Sequence, residues 1–132
     1  MQQITAITDD PIQTSGIILV DGSVVQMTLQ YVPGNPVGSW WYSLSYGNWQ
    51  ADLMRIVVSP NMIRKYRRVI PFGLCVKTID GYEVVNQSDW ISGRATMFSL
   101  SNVSVNGEPS DIQKAETLIL KTIPALLGNF IS

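Results

Sequence analysis

The chain has 132 residues, a formal net charge of −1, 45% hydrophobic residues and only 14% charged ones. That length fits one domain able to bury its own core, and that charge provides no field for gathering nucleic acid or anionic lipid. With no histidine and a single cysteine, Cys75, imidazole catalysis, internal disulfides and the common Cys/His zinc sites are excluded.

Residues 1–11 carry no basic n-region and no apolar h-region, and no apolar run approaches the ~20 residues of a membrane span. The expectation is a protein made and folded in the cytoplasm. Strand signals begin with the apolar run Ile17 to Val20. Asp21-Gly22 then supplies the left-handed conformations of a tight hairpin turn. Val25, Met27, Leu29 and Tyr31 alternate with Val24, Gln26, Thr28 and Gln30, the period of a half-buried strand. Pro33-Gly34-Asn35-Pro36 breaks that strand.

A second hairpin opens at Ser39, with Trp40, Tyr42, Leu44 and Tyr46 on one face and Trp41, Ser43 and Ser45 on the other. Gly47-Asn48 marks its turn, Trp49 its tip, and Gln50 to Val58 its return strand. Ser59 and Pro60 read as the cap and first turn of a short helix over Asn61 to Arg68, ended by Pro71 and Gly73. A third hairpin is predicted from Phe72 to Ile79, the Asp80-Gly81 turn and a return strand Tyr82 to Val85. Gln87 to Gly93 connects to a last strand from Arg94 to Leu100, with a possible continuation through Val103 and Val105.

Past these strands the periodicity becomes helical. Ser110 with Gln113 forms a capping box, and Asp111 favours the helix start. Ile112, Ala115, Ile119, Ile123 and Leu126 make an apolar stripe, widened by Leu118 and Leu127. Pro124 predicts a kink or end near Ile123, Gly128 a stop, and 129–132 a tail. The helix either covers an open end of the β module or docks on a neighbouring subunit. The whole reads as mainly β: a small antiparallel β-barrel or sandwich of six to seven strands, one short helix after the fourth strand, plus a C-terminal helix. The boundaries are residues 1–107 for the β module and 108–132 for the helical appendage.

The richest stretch for function is Ser39 to Gly73, which holds three of the four tryptophans and five of the nine basic residues. On a short helix Arg64, Arg67 and Arg68 share one face, with Lys65 beside them. Arginine suits bidentate contact with carboxylate or phosphate, so the face is either simply solvated or meets an acidic protein partner. Nucleic acid is the weakest reading, because the rest of the chain adds little positive charge. Trp41 and Trp49 divide among core, protein interface and a stacking platform for sugars or bases.

Carboxylates are scattered: Asp21 and Asp80 occupy turns, while Asp52, Glu83 and Asp89 stand alone. No spacing selects a glycosidase pair, and there is no GxGxxG, phosphate loop or calcium loop. Cys75 sits in an apolar run and is expected to be a buried, inert thiol. No catalytic role, cofactor, metal or small-molecule substrate is expected.

The order of motifs carries a resemblance. A DG hairpin leads to a Trp-bearing strand, an extended return strand and then Tyr66, Arg67-Arg68-Val69 and Ile70-Pro71-Phe72-Gly73-Leu74. This resembles the small baseplate plug proteins of contractile-tailed phages, known from a cyanophage baseplate, in which a Trp-bearing strand precedes an Ile-Pro-Xaa-Gly-Xaa-Leu-like run. The match covers roughly Ile12 to Leu100. The resemblance implies a β-rich structural protein of the virion, at the central hub of the tail baseplate, reached through the host cytoplasm during assembly. It implies several copies contacting hub, tube-initiator or spike subunits, without catalysis.

The basic run and the C-terminal helix lie outside that pattern. Arg64, Arg67, Arg68, Trp41, Trp49, Ile119 and Ile123 are the residues expected to meet partners. The alternative is a small β-barrel binding module for carbohydrate or single-stranded nucleic acid.

Overall fold

The computed structural model describes residues 1–34 and 36–121 in full, and the helical backbone of 122–131. Among the described residues there are seven strands: β1 (Gln2–Gln3), β2 (Ile12–Ile18), β3 (Val24–Val32), β4 (Ser39–Tyr46), β5 (Trp49–Arg55), β6 (Phe72–Thr78) and β7 (Ala95–Ser101). A 3-10 turn spans Arg64–Tyr66, and a helix, α1, spans Asp111–Ile131. The strands form two antiparallel sheets, β2-β3-β4-β5 and β1-β7-β6. Among the described residues no pairing joins the two sheets into a closed barrel. Of the two expected architectures, the closed barrel is therefore not formed, because no strand pairing links the border strands of one sheet to those of the other.

Alternation decides which side chains meet between the sheets. Val25, Met27 and Leu29 of β3 and Trp40, Tyr42 and Leu44 of β4 are buried in one cluster with Phe72, Leu74 and Val76 of β6 and Met97 of β7. Each fully buried large side chain of that kind stabilises by roughly 1.5–3 kcal/mol. The reverse face of β6 and β7 holds a second cluster, Cys75, Leu100 and Ala115, flanked by Phe98 and Ile112. The first turns of α1 therefore pack on the chain's own three-stranded sheet. β6 is apolar on both faces for that reason, with Phe72 through Val76 all buried.

Several expectations are corrected. Tyr82 to Val85 is not a strand; β6 pairs directly with β7, and side chains satisfy that segment's backbone in place of a ladder. The carboxylate of Asp89 accepts from the amides of Val85 and Asn86, the hydroxyl of Tyr31 donates to Val85 O, and Trp40 Nε1 donates to Asn86 O. The helix over 61–68 reduces to the 3-10 turn, whose N-cap position is Ile63 and carries no side-chain cap bond. Ser59 instead accepts from the Asn61 amide and bridges Val76.

β2 begins at Ile12, five residues before the apolar run that announced it, because residues 13–16 are Gln, Thr, Ser and Gly. β1 had no signal of its own and forms by pairing Gln2 and Gln3 with Ser99 and Phe98. β5 ends at Arg55 rather than Val58, and β7 ends at Ser101, whose amide donates to the Asp111 carboxylate, so no strand continues through Val103 and Val105.

The capping box at the start of α1 is formed: Gln113 N donates to Ser110 Oγ at 3.2 Å and Ser110 N to Gln113 Oε1 at 2.7 Å. The helix runs past Pro124 and Gly128 to Ile131, so neither ends it and 129–131 is not a tail. A proline removes one backbone donor, which a helix survives when the rest of its ladder remains. Among the described residues no helix is long and apolar enough to cross a membrane.

Candidate interaction surface

The basic run lies on the connection between the two sheets. Asn61, 4% exposed, organises it. Its Oδ1 accepts from the amides of Ile63 and Leu74, both at 3.2 Å. Gly73 makes room for that side chain, since a Cβ there would lie 2.8–2.9 Å from the Asn61 amide group. The Ile70-Pro71-Phe72-Gly73-Leu74 stretch therefore has a local meaning: Ile70, Phe72 and Leu74 enter the core, and Gly73 admits Asn61.

On this support the four cations take different places. Arg64 turns onto α1, with Nε 2.7 Å from Glu116 Oε2 and Nη2 2.6 Å from Glu116 Oε1. These hydrogen bonds hold the Glu116 carboxyl below its usual range and raise Arg64. Arg67 donates to Arg64 O at 3.2 Å. Lys65 Nζ lies 5.0 Å from the Tyr66 ring centre. Arg68 is exposed. The three arginines thus do not form one outward face: Arg64 already has its acid inside the chain, and Arg68 is the exposed one.

The tryptophans divide three ways. Trp40 is fully buried, packed against Tyr31 at 5.2 Å and Trp90 at 6.2 Å between ring centres. Trp49 opens β5 on the inward side, its ring 5.1 Å from Tyr66 and 6.3 Å from Phe72, so its position is inside the molecule's own packing. Trp41 alone belongs to the outer face of the four-stranded sheet, half-buried, with Nε1 donating to Ser39 Oγ at 2.9 Å. On α1, Ile119 is half-buried. Ile123 lies outside the residues whose side chains are described.

Sequence reasoning missed the ion centre at Arg94. Its guanidinium reaches Asp89 at 2.8 Å, both carboxylate oxygens of Asp80 at 3.1 and 3.2 Å, and the Glu83 carbonyl at 3.0 Å. Asp89 does not stand alone. The Asp80 carboxyl is held below its usual range, first by the Tyr82 amide and then by Arg94. Nothing in the spacing of these residues signals the cluster, because it needs the β6–β7 register to assemble. Cys75 is buried, and burial pushes its thiol up, away from the reactive thiolate.

The outer face of the four-stranded sheet is distinctive for its chemistry. β2, β3 and β4 together contain no Asp, Glu, Lys or Arg. Across the face run a Thr14–Thr28–Ser43 row and a Gly16–Gln26–Ser45–Gln50 row, with Trp41 between Gln30 and Arg55. Ile12 and Ile18, 70% and 65% exposed, border it on β2. A solvated surface is ordinarily about 25–35% charged. Among the described residues no group of His, Cys, Asp and Glu is placed to hold a metal ion. No protein-family model matches the chain, and no curated protein matches it.

Proposed function

We propose that this chain is a structural component of a contractile phage tail baseplate, in the plug or hub region, acting through contacts with neighbouring subunits. The observation that supports this most is the charge-poor outer face of the four-stranded sheet, three of whose strands carry no Asp, Glu, Lys or Arg. Charge is where surface proteins keep their solubility, and its depletion with aromatic enrichment is a mark of interface cores. Trp41 and the two exposed isoleucines supply the anchors, and Arg68 with Arg67 supplies cations for an acidic rim. The baseplate itself enters through the likeness of the Trp-bearing strand and the 70–74 run to the plug proteins.

The test is to raise antibody to the chain and label purified tails for electron microscopy. Label at the baseplate end supports the reading; tails without the chain overturn it. A Trp41→Ser variant, which keeps the core intact, is expected to enter tails poorly.

One observation favours a second reading, a carbohydrate-binding module: Trp41 lies on the outer face between Gln30 and Arg55, with serines along its own strand. Titration with glycans while following tryptophan emission separates the two, since the assembly reading expects no change.

A further inference from the structure

Four strands border the two sheets, β1 and β6 in one, β2 and β5 in the other. Three of these edges are blunted. β1 has two residues. β6 is covered by the preceding loop, where Ser59 bridges Val76, Met62 N donates to Leu74 O, and Asn61 takes the Leu74 amide. β5 carries Asp52 and Arg55, and its ladder is interrupted opposite Tyr42 and Leu44, where Leu53 adopts φ 49°. Bulges, charges, shortness and coverage are the usual protections of an exposed edge.

β2 has no bulge, charge or shortness to protect it, and the segment beside it makes no backbone bond to it. It is seven residues long, regular through seven consecutive pairs with β3, and without charge or proline. The hydrogen bonds at its ends fix which groups face outward. Tyr31 N donates to Pro11 O, and Leu19 N to Ser23 O, so the odd-numbered residues bond to β3. By alternation the N–H and C=O of Ile12, Thr14, Gly16 and Ile18 point away from the sheet. Among the described residues no backbone bond reaches them. Residues 4–6 pass the edge without pairing to it, leaving a groove of about 170 Å³ lined by Ile4, Thr5, Gly16 and Ile18.

We propose that β2 is a homodimer edge: it pairs antiparallel with β2 of a second copy about a two-fold axis at Ser15. The sequence is self-complementary in that register. Ile12 falls opposite the partner's Ile18, and Thr14 opposite the partner's Gly16. All four outward-facing residues then exchange both backbone bonds, and the exposed isoleucines gain apolar neighbours on the same face. Like charges opposite one another would forbid the pairing, and β2 has none. The result is one continuous sheet in which the charge-free strands β2 to β4 of both copies lie side by side. This stands on the edge geometry and does not require the baseplate reading.

Sedimentation velocity on the purified chain alone, from about 1 μM to about 1 mM, reads the association. A dimer is expected, with the amides of Thr14, Gly16 and Ile18 protected from hydrogen exchange only at high concentration, and those of Gln13 and Ser15 protected throughout. Ile12→Lys with Ile18→Lys sets lysines against lysines and is expected to weaken the dimer at least about tenfold. Ile12→Lys with Ile18→Glu pairs opposite charges in the same register and is expected to restore it to within a few-fold of the parent at low salt. Both pairs replace exposed side chains, so thermal melting should be close to that of the parent. A chain monomeric across the range, which leaves β2 to a strand from another protein, overturns the proposal. So does equal loss in the two double variants, which would mean an apolar patch with no strand register.

Discussion

The Asp89 carboxylate, 2% exposed, meets the Arg94 guanidinium at 2.8 Å through Oδ2, and the same oxygen accepts the amides of Val85 and Asn86. One buried acid thus replaces a strand partner for the loop between β6 and β7. Asp89→Ala leaves Arg94 without its buried acid and orphans two amides, and is expected to cost about 3–5 kcal/mol. Urea unfolding measures the loss, and limited proteolysis should locate new cleavage within 82–93. Arg94→Lys is expected to rescue little, since an ammonium cannot span Asp80, Asp89 and the Glu83 carbonyl together.

Gly73 and Asn61 should behave as a coupled pair. A methyl group at 73 would sit within 2.9 Å of the Asn61 side chain, so Gly73→Ala is expected to destabilise by about 1–3 kcal/mol. Asn61→Ala is destabilising as well, because the Ile63 and Leu74 amides lose their acceptor. With Asn61 already alanine, the further change at Gly73 should cost close to nothing. Additive costs in the double-mutant cycle would show that the two do not compete for one space.

The contact between Arg64 and Glu116 ties α1 to the 3-10 turn and has a defined pH dependence. The folded Glu116 carboxyl titrates below its ordinary value of 4.5, so the pair contributes stability above that value and loses it as pH falls through the lowered one. Both groups are open to solvent, which makes the contribution small and sensitive to salt. The stability difference between the parent and Glu116→Gln is expected to be present at neutral pH, to shrink below 4.5 and to vanish once the pH is under the lowered folded-state value. A difference unchanged by acid would mean that Glu116 acts through its methylenes alone.

How much of this was legible beforehand depends on the range of the interaction. β3, β4 and their inward faces could be read because alternation and the DG turn are local; Gly22 takes φ 86° and Leu19 and Ser23 close the hairpin. The capping box of Ser110 and Gln113 was equally local. Arg94 with Asp80 and Asp89 was not, because each residue taken alone resembles an ordinary turn or loop residue. The short helix at 61–68 failed for the same reason: Asn61 bonds across to Leu74, and that tertiary bond decides the local conformation. The basic face was misread through that helix, and Arg64 found Glu116, 52 residues along the chain. The open edge of β2 was hidden because half of it is polar, and a strand's freedom appears only when its neighbours are known.

Two buried indoles make the last contrast. Trp40 Nε1 donates to Asn86 O at 3.1 Å, while Trp90 Nε1 is buried with no hydrogen-bond partner among the described residues. Trp40→Phe therefore removes apolar volume and also strands a carbonyl, at an expected cost of about 3 kcal/mol or more. Trp90→Phe loses similar volume but also removes an unsatisfied donor, and the two effects oppose each other. Its cost is expected to be at least about 1 kcal/mol smaller than that at Trp40. Equal losses on urea unfolding would mean that packing between the rings, 6.2 Å apart, outweighs the hydrogen bond at both positions.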